Sequence, residues 1–233
     1  MTDNRWRIDL EFIEQGHIYF FYKPKKGVEE VSSLKDVGRF YFVLQPETEM
    51  PPRYVFMGKK QMPRISNGGK TSWGKVQKVG GRGFEITKPG KERKDAARAA
   101  GEGLYALVRH GDHTHLVYIL ELPERRGDVQ KGLELHREGN YLLAVKPPPT
   151  VSGKQLKELK VTDSQKYQPL REAEVLNYEG AEILLTGVTS DVERLGIAVE
   201  KDQETEETAD IFNQLKVSRE RHPIEPLITG NWR

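Results

Sequence analysis

The chain contains no cysteine. That excludes a disulfide framework, a thiolate metal site and a cysteine nucleophile. Apolar residues are scarce, at 36% of 233 positions against 31% charged, so a modest core must carry a heavily charged surface. No apolar run approaches the roughly 18–20 residues of a membrane helix. The opening Met1–Arg7 lacks the apolar segment of a secretory signal. The expectation is a soluble cytoplasmic protein without membrane contact. Also missing are a Gly-x-Ser-x-Gly elbow, a His-Glu-x-x-His helix and a dinucleotide-binding glycine fingerprint. Two glycine-rich stretches do not replace them. Val79–Gly83 leads into a strand-like run rather than a helix N-terminus, and Asn67–Ser72 lacks the glycine spacing of a phosphate loop.

Charge of one sign is missing locally rather than globally. The net charge is only +2, yet Arg53 to Arg98 holds thirteen Lys/Arg and three acids, and Glu200 to Asp210 holds six acids and one lysine. Such a layout fits a polyanion-binding face, or attraction between the two regions. In the basic stretch Lys59, Lys60, Arg64, Lys70, Lys75, Lys78 and Arg82 surround Trp73, with Lys88, Lys91, Arg93 and Lys94 beyond and Tyr54 and Phe84 nearby. Phosphate attraction combined with an aromatic for stacking is what single-stranded nucleic acid binding requires. The plain alternative is a solvated surface, or a partner for the acidic stretch.

Short apolar runs rich in aromatic and β-branched residues recur along the chain. His17–Tyr22, Arg39–Leu44, Arg53–Met57, Trp73–Val79, Gly83–Thr87, Tyr141–Val145, Ala181–Thr186 and Gly196–Glu200 all read as strands. Gln45–Pro52 links the second and third as a hairpin. Short helices are expected over Lys91–Ala100, ended by Gly101 and Gly103, and from an Asp128 N-cap to Leu135. Two more are expected over Lys154–Leu159 and Thr208–Val217, the last with Ala209, Phe212 and Leu215 on one face. The tail ends on Trp232, which reads as a pinned side chain. With strands dominant and no regular strand–helix alternation, the class is α+β, β-rich, with mainly antiparallel sheet and a few short helices. The expected layout is a β-rich domain over 1–149, a linker over 150–170 and a small acidic subdomain over 171–233 packed on the first.

Three of the six histidines, His110, His113 and His115, fall in one run, Leu104–Leu122. Gly111–Asp112 between two apolar runs predicts a two-residue hairpin turn of type II′. Pairing then follows by counting: His110 opposes His113, Arg109 opposes Thr114, and Val108 opposes His115. A four-residue loop would keep the same register. One face carries Leu104, Ala106, Val108, the three histidines, Val117 and Ile119. The other carries Tyr105, Leu107, Arg109, Thr114, Leu116, Tyr118 and Leu120. Opposed Cβ atoms lie about 4.5–5.5 Å apart, near enough for the imidazoles to converge on a divalent metal such as zinc, with Asp112 orienting a ring. Arg109 offers a donor fork for a phosphate or carboxylate, or pairs with an acid such as Glu102 or Asp112. The plain alternative for the histidines is hydrogen bonding at the edge of a core.

These readings lead first to a non-enzymatic protein that binds nucleic acid or another polyanion, with no cofactor required. A metal-dependent hydrolase, phosphoesterase-like and centred on the histidines, is the alternative. An assembly subunit that binds a protein partner is a third.

Overall fold

Strand residues that alternate in burial leave two apolar faces, and the chain covers both. The computed structural model describes residues 10–65, 69–80, 96–192, 209–215 and 222–232. Its strands are β1 (Leu10–Pro24), β2 (Val37–Pro46), β3 (Arg53–Met57), β4 (Thr71–Val79), β5 (Arg98–His110), β6 (His113–Leu122), β7 (Glu138–Lys146), β8 (Gln168–Pro169) and β9 (Glu182–Thr189). Four short helices accompany them: α1 (Asp128–Gly132), α2 (Gly153–Glu158), α3 (Asp210–Asn213) and α4 (Glu225–Thr229).

The β-rich, antiparallel expectation holds, and the sheet is more specific than that expectation. It closes on itself as an eight-stranded barrel in the order β1-β2-β3-β4-β9-β7-β6-β5, with β5 returning to β1 and the two-residue β8 paired to β7 beside β6. Every pairing is antiparallel. Closure removes the exposed edges that an open sheet must protect. Eight strands enclose a space that side chains alone can fill. Phe20, Tyr22, Phe40, Phe42, Tyr118 and Tyr141, all fully buried, belong to one cluster that fills it.

The hairpin matches its predicted register at each pair named above. Gly111 has φ 57, the left-handed value that glycine accepts at the first position of a type II′ turn. Tyr105, Leu107, Leu116, Tyr118 and Leu120 join the interior cluster, while Ala106, Val108 and Val117 face outward against Val192.

The helix expected over Lys91–Ala100 is corrected. Lys91–Asp95 lie outside the described residues, and Arg98–Ala100 are strand, zipped onto β1 at Tyr22 and Phe21. Ala97 and Ala99 are fully buried because their small side chains admit Ala209, Ile211, Leu215 and Leu227 onto the outer wall. Gly101 and Gly103 are therefore not helix terminators. A Cβ on Gly103 would sit 2.0 Å from the Ile119 carbonyl oxygen, so β5 and β6 approach closely only without one. Asp128 is the first residue of α1 rather than its cap. Gly127 holds the cap position, its N–H bonded to Gln130 Oε1 at 2.9 Å. The expected strands Gly83–Thr87 and Gly196–Glu200 lie outside the described residues, as does the Phe212 side chain. Trp232 is pinned edge-on to Tyr22, with ring centroids 5.4 Å apart. From the expected linker, Val151, Leu159 and Leu170 enter the main core, and β9 is a barrel strand between β4 and β7.

A charged pair enters the core. A register shift between Phe12 and Glu14 reverses which side chains of β1 point inward. Phe12 is left 54% exposed and Glu14 is buried. Arg53 Nη1 donates to Glu14 Oε1 at 2.5 Å, and the Tyr105 hydroxyl donates to the same oxygen at 2.6 Å. Arg53 Nε donates to Asn177 Oδ1 at 2.7 Å. Burial, followed by the neighbouring Glu14 carboxylate, pushes the Tyr105 phenol well up, so it remains a donor. Replacing Arg53 by Ala strands a buried carboxylate and is expected to cost about 3–5 kcal/mol. The paired change Glu14→Leu, Arg53→Met should recover most of it. Urea unfolding of the three proteins checks this.

Candidate functional site

The outer face of β4 is built by alternation. Trp73 and Lys75 project outward, and a register shift opposite Tyr54/Val55 returns Lys78 to the same side. Ser72 and Val76 take the inner side and are buried. Trp73 is 53% exposed, unusual for so large an apolar side chain. Its indole rests on Gly58, where a Cβ would lie 2.3 Å from Trp73 Cε2. One ring face is thus backed by main chain and the other is presented to solvent.

The structure places five of the basic residues expected from sequence on β4 or in the connection that leads into it. Lys59 and Lys60 follow Gly58 in the β3–β4 connection, which is hydrogen-bonded to Trp73 (Gly58 N–H to Trp73 C=O, 2.9 Å). Lys70 precedes β4, and Lys75 and Lys78 follow Trp73 on the same face of the strand. Among the described residues no carboxylate forms an ion pair with any of these five lysines. Three other basic residues do not contribute as expected. Arg64 pairs with Glu134 at 2.9 Å. Arg53 and Arg98, which bound the basic stretch, are buried and do not face solvent. Arg82 lies outside the described residues.

The histidine tip has a different arrangement from the one expected. All three imidazoles do lie on one face, with the His110 and His115 ring centroids 6.4 Å apart. Among the described residues, however, no group of three His, Asp or Glu side chains is placed to hold a metal ion. His113 is exposed, whereas His115 is buried and its Nδ1–H donates to Asn140 Oδ1 at 2.7 Å. Asn140, on β7, is the orienting group that the hairpin sequence alone did not reveal, because it arrives from a strand 25 residues away. Asp112 instead lies 3.8 Å from Arg171. Arg109 pairs with Glu11 of β1, not with Glu102 or Asp112, so its donor fork is already engaged. Thr114 donates to the Leu170 carbonyl at 2.7 Å and is structural.

A shallow groove of about 280 Å³ runs from the Trp73 neighbourhood toward the histidine tip. Thr71, Leu184, Thr186, Leu142 and Ala144 line it, and His113 stands at its far end. No helix among the described residues is long and apolar enough to cross a membrane. The chain matches no known protein family, no curated protein and no solved structure.

Burial pushes the His115 pKa below its ordinary 6.5; the bond to Asn140 opposes this, and charge on His110 or His113 adds to it. The unfolded chain therefore takes up this proton more readily than the folded one. His115 leaves stability intact above about pH 6.5 and lowers it as pH falls from there toward the folded value, below which the loss stops growing. Chemical unfolding between pH 5 and 8 should show this decline, and His115→Gln should flatten it. Part of the slope should remain, since burial also lowers His136.

Proposed function

We propose that this chain is a non-enzymatic binding protein for single-stranded nucleic acid, acting through the outer face of β4. The observation that carries the proposal is the exposed indole of Trp73, backed by Gly58, with Lys75 and Lys78 further along the same face of β4 and Lys59, Lys60 and Lys70 in the connection that leads into it. A half-exposed aromatic ring costs solvation free energy unless something stacks on it, and every base offers a π-face. The neighbouring lysines supply sequence-independent attraction to the linking phosphates. The ring, Lys75 and Lys78 sit on strand β4, which fixes their spacing, while Lys59, Lys60 and Lys70 lie in the β3–β4 connection.

The test is fluorescence anisotropy with a labelled single-stranded RNA dodecamer across a salt series. Trp73→Ala should weaken binding by about tenfold, within the range for loss of one stacked base. Lys75→Ala and Lys78→Ala should each reduce the slope of log K against log salt by about 0.7. All three positions are solvent-facing, so melting temperatures should stay near that of the parent. Absence of binding by the parent protein even at low salt would overturn the proposal.

A further inference from the structure

The groove beside Trp73 has its own chemistry. Strand register places it one step from the indole: Trp73 opposes Leu184, and Leu184 opposes Ala144, while Thr71 opposes Thr186, and Thr186 opposes Leu142. Two parallel rows thus cross β4, β9 and β7 on the outer wall. Neighbouring strands are about 4.8 Å apart, so Trp73 and Ala144 are separated by roughly 10 Å. Consecutive nucleotides of an extended strand can span that distance.

The lining is apolar where a flat ring would lie, over Leu184, Leu142 and Ala144. It is polar along one side, where the Thr71 and Thr186 hydroxyls bond each other at 2.8 Å. One hydroxyl proton is used in that bond. Both residues line the groove, and the pair keeps a second proton and further lone pairs beyond that bond. The one acid next along this face, Glu182, is occupied: the Tyr167 hydroxyl donates to it at 2.7 Å and Lys146 pairs with it at 2.7 Å. Lys75, opposite Glu182 in the strand pairing, also offsets its charge, and Lys70 directly precedes Thr71 of the lining.

Resting on the proposal of nucleic-acid binding, we propose that this groove is a second nucleotide subsite for single-stranded RNA. One base stacks on Trp73, and its neighbour lies on Leu184, Leu142 and Ala144. The Thr71–Thr186 hydroxyl pair reads the ribose 2′-OH, the group that separates RNA from DNA. Charge complementarity selects this occupant: Lys70 and Lys75 lie one and two positions from the Thr71 and Trp73 rows, and the lining itself carries no carboxylate.

Filling the groove tests the subsite apart from the Trp73 platform. Ala144→Phe should weaken binding of the RNA dodecamer by about tenfold, the loss of one stacked base, without changing the salt slope, because no phosphate contact is removed. Thr186→Val, a near-isosteric change, should abolish a several-fold preference of the parent for RNA over DNA of the same sequence. If Trp73→Ala weakens binding while Ala144→Phe binds like the parent, the subsite is overturned and the Trp73 platform stands. If the parent binds RNA and DNA equally, the assignment of the hydroxyl pair to ribose is overturned. If the parent binds no RNA at all, both proposals fall. Should Ala144→Phe lower the melting temperature, Leu184→Ala and Thr186→Val together decide the question on the same readouts.

Discussion

The register of the β5–β6 hairpin decides what the barrel contains. Pairing of His110 with His113 across Gly111–Asp112 sends Tyr105, Leu107, Leu116, Tyr118 and Leu120 inward and the histidines outward. A slip of one residue would exchange the two sets along a strand, placing imidazoles and Ala106 where the interior needs large rings. The hairpin also joins two meanders. β5 pairs with β1 and β6 pairs with β7, so an error in this turn would propagate into both neighbours and prevent closure. Gly111 therefore acts on the whole barrel through a single backbone angle, and Gly103 acts with it by letting the two strands approach.

The buried Glu14–Arg53 pair imposes a second constraint of another kind. A buried ion pair adds little net stability over an apolar replacement, because desolvation offsets attraction. Its effect lies in the cost of the alternatives. Glu14 points inward only because β1 shifts register beside it, and Arg53 reaches it only if β2 and β3 are correctly aligned. Tyr105 from β5 and Asn177 from the segment before β9 complete the arrangement. Residues from four parts of the chain are thus satisfied together or not at all. The short Ala173–Asn177 turn is held to the barrel by the same bonds that neutralise the core.

Strand positions and the hairpin register were legible because period-2 alternation and turn chemistry are local signals. His17–Tyr22, Arg39–Leu44 and Arg53–Met57 each lie within an observed strand, and the hairpin pairs as counted. Closure was not legible, since no local signal states that β1 meets β5 or that β4 meets β9. The start of β5 was misread for a related reason: Arg98–Ala100 carry helix-favouring residues, and tertiary contact overrides that preference. The site was legible in part. Trp73 and its lysines were identified by type and spacing, but whether they share a face depends on the β4 register shift. The basic count misled at its ends, because Arg53 and Arg98 are inside. The partner of His115 was hidden for want of any sequence link to Asn140.

The filled interior bears on where a ligand can sit. Barrels that hold small molecules leave space among their staves. Here stacked and edge-on rings such as Phe20 with Tyr118, and Tyr118 with Tyr141, occupy that space. The binding face proposed above is accordingly on the outer wall. The outer wall of β1, β2 and β3 is covered by Ala209, Ile211, Leu215 and Leu227 from the C-terminal part of the chain, and that of β5 and β6 packs against Val192. Among the described residues, the sector left to solvent is β4, β9 and β7, and two of the three exposed large hydrophobic residues, Trp73 and Val188, lie on it. Among the described residues, the third exposed large hydrophobic side chain, Phe12, stands apart from this sector on β1. Among the described residues, this sector thus sets the exposed Trp73 and Val188 on strands that carry or adjoin the lysines of β4, the combination on which the proposed binding face rests.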